Sequence, residues 1–168
     1  MQKAEFWITH LALQQHPEGG FYRETYRNRG GYDFTGSTSF GAHRSYATAI
    51  HYLLKEGQQS KLHRIQSDEL WFFHTGSPLV VHIFSELEAN YSSFTLGLDP
   101  VSGQLLQASV PAGSWFGACF PDSIVTDRYT LVSCVVAPGF DFIDFEFANK
   151  NILSDIFPRH KALIDRLT

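Results

Sequence analysis

Hydrophobic and polar residues alternate along most of the chain in short runs. YATAIHYLL (46–54), KLHRI (61–65), ELWFFHT (69–75), PLVVHIF (78–84), YSSFTLGL (91–98), QLLQASV (104–110), SWFGACF (114–120), YTLVSCVV (129–136) and FDFIDFEFA (140–148) all have the length and residue types of strands. FYRETYR (21–27) alternates in the same way. Gly57, Gly76-Ser77-Pro78, Asp99-Pro100, Gly103, Pro111-Ala112-Gly113, Pro121-Asp122 and Pro138-Gly139 break the runs as turns. No helical pattern separates them, so the pattern predicts an antiparallel all-β sandwich or barrel. Helical spacing appears at the two ends. Phe6, Trp7, His10, Leu11 and Leu13 predict a short helix over 2–15, stopped by Pro17 and Gly19-Gly20. Ile152, Leu153, Ile156, Leu163, Ile164 and Leu167 predict a second over 151–167, divided at Pro158. Residues 28–45, rich in Gly, Ser and Thr, read as a mobile loop.

Composition sharpens this picture. The 168 residues suit one domain, and 15 Phe, 7 Tyr and 3 Trp suit pleated, half-buried surfaces rather than solvated helices. Charged residues are only 18% of the chain, net charge is −4, and no Lys/Arg run exists. Nucleic-acid and anionic-membrane partners are therefore not expected. Cys119 and Cys134 lack metal-site or disulfide-framework spacing and read as buried free thiols. Thr9, His10 and Gln14 interrupt the N-terminal apolar residues, so no signal peptide is expected and the expected location is cytoplasmic.

One stretch carries candidate chemistry. In GQQSKLHRIQSDELWFFHTG (57–76), Gly57 is followed after five residues by His63, then Ile65, Glu69 and Gly76. This resembles the first cupin motif, with Ile65 where its second histidine stands. Pro111-Ala112-Gly113 resembles the second motif, with Phe116 where its histidine falls and Leu105 where its glycine falls. Four blocks extend the likeness: HPEGGFYRETYR (16–27), HRIQSDELW (63–71), VPAGSWFGA (110–118) and APGFDFIDFE (137–146). Together they resemble the Cupin_5 family, also called DUF985. The resemblance implies one cupin domain over 1–168: a double-stranded β-helix, or jelly-roll barrel, with short N- and C-terminal helices. It also implies a common homodimer and no settled activity. Phe72 stands where relatives often carry histidine, and His74 follows two positions later.

Metal-binding cupins use three histidines and a glutamate, a set suited to divalent Mn, Fe, Ni or Zn. This chain keeps His63 and Glu69 and has apolar Ile65 and Phe116 in place of two imidazoles. Strand alternation turns His74 away from Glu69 and points His82 outward. His16 falls in a turn, and His10, His43 and His160 are peripheral. His51 is the one substitute ligand, on a strand whose inward face the pattern leaves open. No cofactor is expected; a divalent metal on His63, Glu69 and His51 is the alternative.

Without a metal, His63 and Glu69 form a polar pair in an aromatic pocket, either an acid–base pair or a structural tether. Arg23, Glu24, His51, Ile65, Trp71, Phe73 and Phe116 are candidate ligand-binding residues. Arg23 either grips an anion inside the fold or lies on its surface. Tyr22, Tyr26 or Tyr52 would be the acid of a metal-independent isomerase or epimerase acting on a small sugar- or nucleotide-like molecule. Asp144 and Glu146 share a predicted strand face with Phe140 and Phe142 and read as solvated acids. Cys119 has no adjacent base. A metal-dependent cupin enzyme, a non-catalytic small-molecule binding module and a structural dimer are the competing functions.

Overall fold

The computed structural model describes residues 2–34, 40, 43–122 and 126–168. Helix α1 (Ala4–His10) precedes β1 (Gln14–Gln15), β2 (Phe21–Arg27), β3 (Gly31–Asp33), β4 (His43–Ser45), β5 (Thr48–Lys55), β6 (Ser60–Arg64) and β7 (Asp68–Gly76). Then come β8 (Leu79–Ser85), β9 (Asn90–Leu96), β10 (Gln107–Val110), β11 (Trp115–Cys119), β12 (Tyr129–Ala137) and β13 (Glu146–Phe147), followed by α2 (Lys150–Ile156) and α3 (Lys161–Leu167). A six-stranded sheet in the order β1-β2-β5-β12-β7-β10 faces a five-stranded sheet in the order β13-β6-β11-β8-β9. Pairing is antiparallel in both. The expected jelly roll is present as a two-sheet sandwich rather than a closed barrel.

Alternation builds the interior. On β5, Tyr52 and Leu54 turn inward to meet Trp71, Phe73, Val81, Phe116 and Val132. Leu53 turns outward and, with Tyr129 and Leu131, packs under Ala4 and Leu13 of the N-terminal segment. On the other sheet, Leu62, Phe84, Trp115 and Cys119 point outward beneath Leu153, Phe157, Ile164 and Leu167 of the C-terminal helices. Strand β11 is buried along its whole length because it is covered on both faces. Both cysteines are free and buried.

Several boundaries differ from the predicted ones. The first helix stops at His10, and Gln14–Gln15 pair with Tyr22 and Phe21 instead of continuing it. Segment 140–148 is not a strand. The Asp141 side chain accepts the Ile143 amide, starting a single 3₁₀ turn at Phe142–Asp144, and only Glu146–Phe147 join a sheet. Within the expected loop 28–45, β3 and β4 form a short antiparallel pair. Residues 35–39 and 41–42 of that loop lie outside the described residues. The C-terminal helix is divided by a 3₁₀ turn beginning at Pro158, as its proline predicts. Among the described residues, no helix is long and apolar enough to cross a membrane.

Candidate functional site

A cavity of about 280 Å³ opens between the two sheets. Strands β2, β5, β7 and β12 form one wall, His63 and Ile65 face them, and segment 140–145 closes the side. Its chemistry is centred on a residue from outside the sheets. Gly19 and Gly20 have φ of 112° and 71°, so the chain reverses tightly after Pro17. The Tyr52 hydroxyl donates to the Gly19 carbonyl at 2.9 Å, and the Lys61 amide donates to the Glu18 carbonyl at 2.9 Å. This turn presses Glu18 into the cavity, where it is 6% exposed.

Glu18 accepts a hydrogen bond from the Ser60 hydroxyl at 3.0 Å, and its other oxygen lies 3.0 Å from His63 Nε2. His63 Nδ1 is 2.6 Å from the Lys61 carbonyl, which can only accept, so Nδ1 carries a proton. With a carboxylate on the opposite nitrogen, both nitrogens donate and the ring is an imidazolium. Burial works against the His63 charge, but the Glu18 charge and hydrogen bond outweigh it, and the pKa is raised. Burial likewise opposes ionisation of Glu18, and the His63 charge overcomes it, so that pKa is lowered.

Glu69 behaves differently. It is 8% exposed, and burial and then the Glu18 charge push its pKa up to about 7. The Cys134 thiol beside it is itself pushed well up by burial and by Glu69. The deep end of the cavity around His63 thus holds one fixed carboxylate, the imidazolium and one carboxyl group that exchanges its proton near neutrality.

Aromatic rings surround these charges. Phe145 stacks on His63 with centroids 5.1 Å apart, and Phe116 lies 4.2 Å from the same ring. His16 meets Tyr22 edge-on at 4.4 Å, and burial lowers its pKa. A bulge between Glu24 and Tyr26 turns both Glu24 and Arg27 into the cavity although they are three residues apart. Arg27 grips Glu24 with two hydrogen bonds of 3.0 and 2.7 Å and donates to the Phe140 carbonyl at 3.2 Å. Arg44 and Asp144, both nearly buried, pair at 2.6 and 2.5 Å and hold the far end of the same segment. Asp144 is therefore not a solvated acid, whereas Glu146 pairs with Arg64 at the surface.

His63, Glu69, Glu24 and Ile65 all line the cavity. Phe116, Trp71 and Phe73 lie behind it in the core. Arg23 and His51 do not reach it. They face each other across β2 and β5 on the outer side of the sheet. Arg23 donates to the Leu11 carbonyl at 2.9 Å, and His51 shares the Ser133 hydroxyl with His74. His51 is thus no substitute ligand. Of the tyrosines, Tyr52 is committed to Gly19 and Tyr26 points outward to Asn28, leaving Tyr22 on the cavity wall. Cys119 does have a base nearby: His82 Nε2, on the neighbouring strand, is 3.5 Å away. Burial pushes the thiol up and the imidazole down to about 4, so that pair is neutral.

The arrangement does not fit a divalent metal. Among the described residues, no three His, Cys, Asp or Glu side chains converge as ligands. Both His63 nitrogens are engaged, and Ile65 and Phe116 offer no donor.

The family model Cupin_5, cupin superfamily (DUF985), matches residues 5–148. The chain belongs to the Cupin_5 family. An uncharacterized protein of Saccharomyces cerevisiae, YML079W, is 30% identical over 151 residues, covering 83% of this chain and 72% of that one. A hypothetical protein from Leishmania major has 36% identity and a TM-score of 0.89, covering 99% of each chain. Protein SO0799 from Shewanella oneidensis has 38% identity and a TM-score of 0.87, covering 100% of this chain and 98% of its own. An oxalate decarboxylase from Bacillus subtilis shares the fold at 15% identity and a TM-score of 0.54, over 92% of this chain and 37% of its own. For this Cupin_5 chain, sequence reasoning missed Glu18, Cys134 and the Phe140–Phe142–Phe145 wall. The available signal for Glu18 was its place between a proline and two glycines, a turn tight enough to bury a charge.

Proposed function

We propose that this Cupin_5 protein binds a sugar-sized molecule between its sheets and moves a proton on it without a metal, as an isomerase or epimerase does. The observation that carries this is the split between two carboxyl groups in one cavity. Glu18 is held ionised by His63, while Glu69 is held near neutrality. Environments that drive paired acids apart assign their roles. Glu69 is the general acid–base group, and Glu18 with His63 is the fixed electrostatic frame, a change from the expectation that Glu69 orients His63. The ionised Glu69 takes a proton from a carbon beside a carbonyl. The enolate oxygen that develops accepts a hydrogen bond from the Tyr22 hydroxyl on the cavity wall. The carboxyl group then returns the proton to the neighbouring carbon, while the hydroxyl proton passes from one substrate oxygen to the other, which shifts the carbonyl and completes an isomerisation. Tyr22 is the hydroxyl on the wall available to the substrate oxygen. A volume of about 280 Å³ sits at the lower edge of small-molecule sites, which span about 300–1,000 Å³. A single sugar ring fits; a nucleotide part would remain outside.

Solvent exchange tests this. Wild type and Glu69→Gln are incubated in D₂O with a panel of ketoses, aldoses, amino sugars and nucleotide-linked sugars, and C–H exchange is followed by NMR. Wild type is expected to exchange one substrate, and Glu69→Gln to lose about 100-fold of that rate while still binding. Equal rates in the two proteins would overturn the assignment. One observation favours a second reading, a binding module without chemistry: both His63 nitrogens are already hydrogen-bonded. Binding in both proteins with exchange in neither is its signature.

A further inference from the structure

The charges lining the cavity also say what kind of molecule it takes. Four carboxyl groups, Glu18, Glu24, Glu69 and Asp141, meet two cationic groups, Arg27 and His63. Both cations are spent. Arg27 is bound by Glu24 and by the Phe140 carbonyl, and His63 by Glu18 and by the Lys61 carbonyl. Neither has its charge free for an incoming anion. The acids are matched unevenly. Asp141 stands at the rim, where its side chain accepts the Ile143 amide and its charge acts on Arg27 and Arg44. Glu69 is more than nine-tenths buried and lines the cavity, and among the described residues it forms no ion pair: the thiol of Cys134 is its hydrogen-bonding neighbour, and the His63 charge reaches it only through space. Around them lie the rings of Tyr22, Phe140, Phe142 and Phe145, whose faces carry negative electrostatic potential.

Resting on the assignment of this cavity as the substrate site, we propose that its substrate is a cation, an amine- or ammonium-bearing small molecule whose positive charge sits between Glu69 and the phenylalanine wall. The three observations point the same way: no free cationic donor, a buried carboxyl group without a cationic partner, and an aromatic lining. A phosphate- or carboxylate-bearing molecule would meet the buried Glu69 carboxyl group and cations already paired with carboxylates.

The proposal has a proton linkage. A cation beside Glu69 favours its ionised form, so docking expels the Glu69 proton to solvent. Affinity then rises with pH through the range where free Glu69 titrates and levels off above it. The other groups facing Glu69 act against or alongside this in known directions. Glu18 disfavours ionisation, the His63 charge and the hydrogen bond from the Cys134 thiol favour it, and the buried His16 is neutral. Binding of a cationic substrate therefore converts Glu69 from acid to base in the same event.

Three molecules of one shape test the charge alone: choline, its uncharged analogue with carbon in place of nitrogen, and the matching tert-butyl carboxylate. Calorimetry on the full chain is expected to show choline binding about tenfold or more tighter than the uncharged analogue, with the carboxylate weakest. Choline affinity is expected to rise about tenfold between about pH 5.5 and 8, with proton release seen as a buffer-dependent heat. In Glu69→Gln that pH dependence disappears. Phe142, 53% exposed, can be truncated without opening the core, and Phe142→Ala is expected to weaken choline about fivefold and the uncharged analogue by clearly less. Equal or tighter binding of the uncharged analogue or the carboxylate overturns the proposal, as does failure of choline to bind at millimolar concentration. Those results leave the D₂O exchange test untouched, so proton transfer by Glu69 stands or falls separately.

Discussion

At Glu69 burial and the Glu18 charge act together, and the consequence for stability has a definite sign. A carboxyl group whose folded pKa is raised from 4.5 to about 7 binds more protons folded than unfolded. Stability is therefore lost as pH rises from about 4.5 through about 7. Glu69→Gln removes that loss, and urea melts are expected to show the variant gaining on wild type by up to about 3 kcal/mol at pH 8, with little gain at pH 4. His63 and Glu18 respond oppositely. Glu18→Ala leaves the His63 charge buried without its partner, so the imidazole pKa should fall below 6.5 in an NMR titration, and stability near neutrality should drop by about 3–5 kcal/mol. His63 and Glu69 were legible because a motif fixes their spacing. Glu18 was not, since a glutamate in a glycine turn normally reads as solvated. Its burial depends on backbone angles that only the three-dimensional turn displays.

Elements explain the next set of differences. Alternation correctly sorted β5 and β2 into two faces but could not say which was inward, because both faces carry apolar residues. Docking of α1 on Leu53 settles it, and Arg23 and His51 go outward with that face. FDFIDFEFA has strand composition, yet Asp141 and Asp144 each have stronger local offers: an amide two residues on, and the buried Arg44 guanidinium. The ion pair ties the aromatic wall to β4. Arg44→Met is expected to cost about 3–5 kcal/mol by stranding Asp144, and to speed hydrogen exchange at the Gly139 and Phe140 amides, which bond to Ser45 and Thr48. Replacing Arg44 and Asp144 together by apolar residues should recover part of the stability, since no lone buried charge remains.

For the whole molecule, the antiparallel all-β class and the dividing proline were readable because turn residues punctuate the chain so regularly, while the thirteen strands among the described residues exceed the ten runs that alternation marks. The flattened, open form of the jelly roll was not, because closure depends on long-range pairing between strand edges. Three apolar clusters hold the layers, and the one under the C-terminal helices is built from fully buried residues. Ile164→Ala should lower the urea midpoint by an amount equivalent to about 2–5 kcal/mol, despite lying on the opposite side of the sheet from the cavity. The turn that carries Glu18 has a different kind of consequence. It precedes every long strand and borrows His63 and Ser60 from β6. The electrostatics of the site are therefore assembled from two sources: the turn 16–20 brings Glu18, and the strands bring His63 and Glu69. A lineage could retune the charge of His63 by editing that turn alone and leave the architecture as it found it.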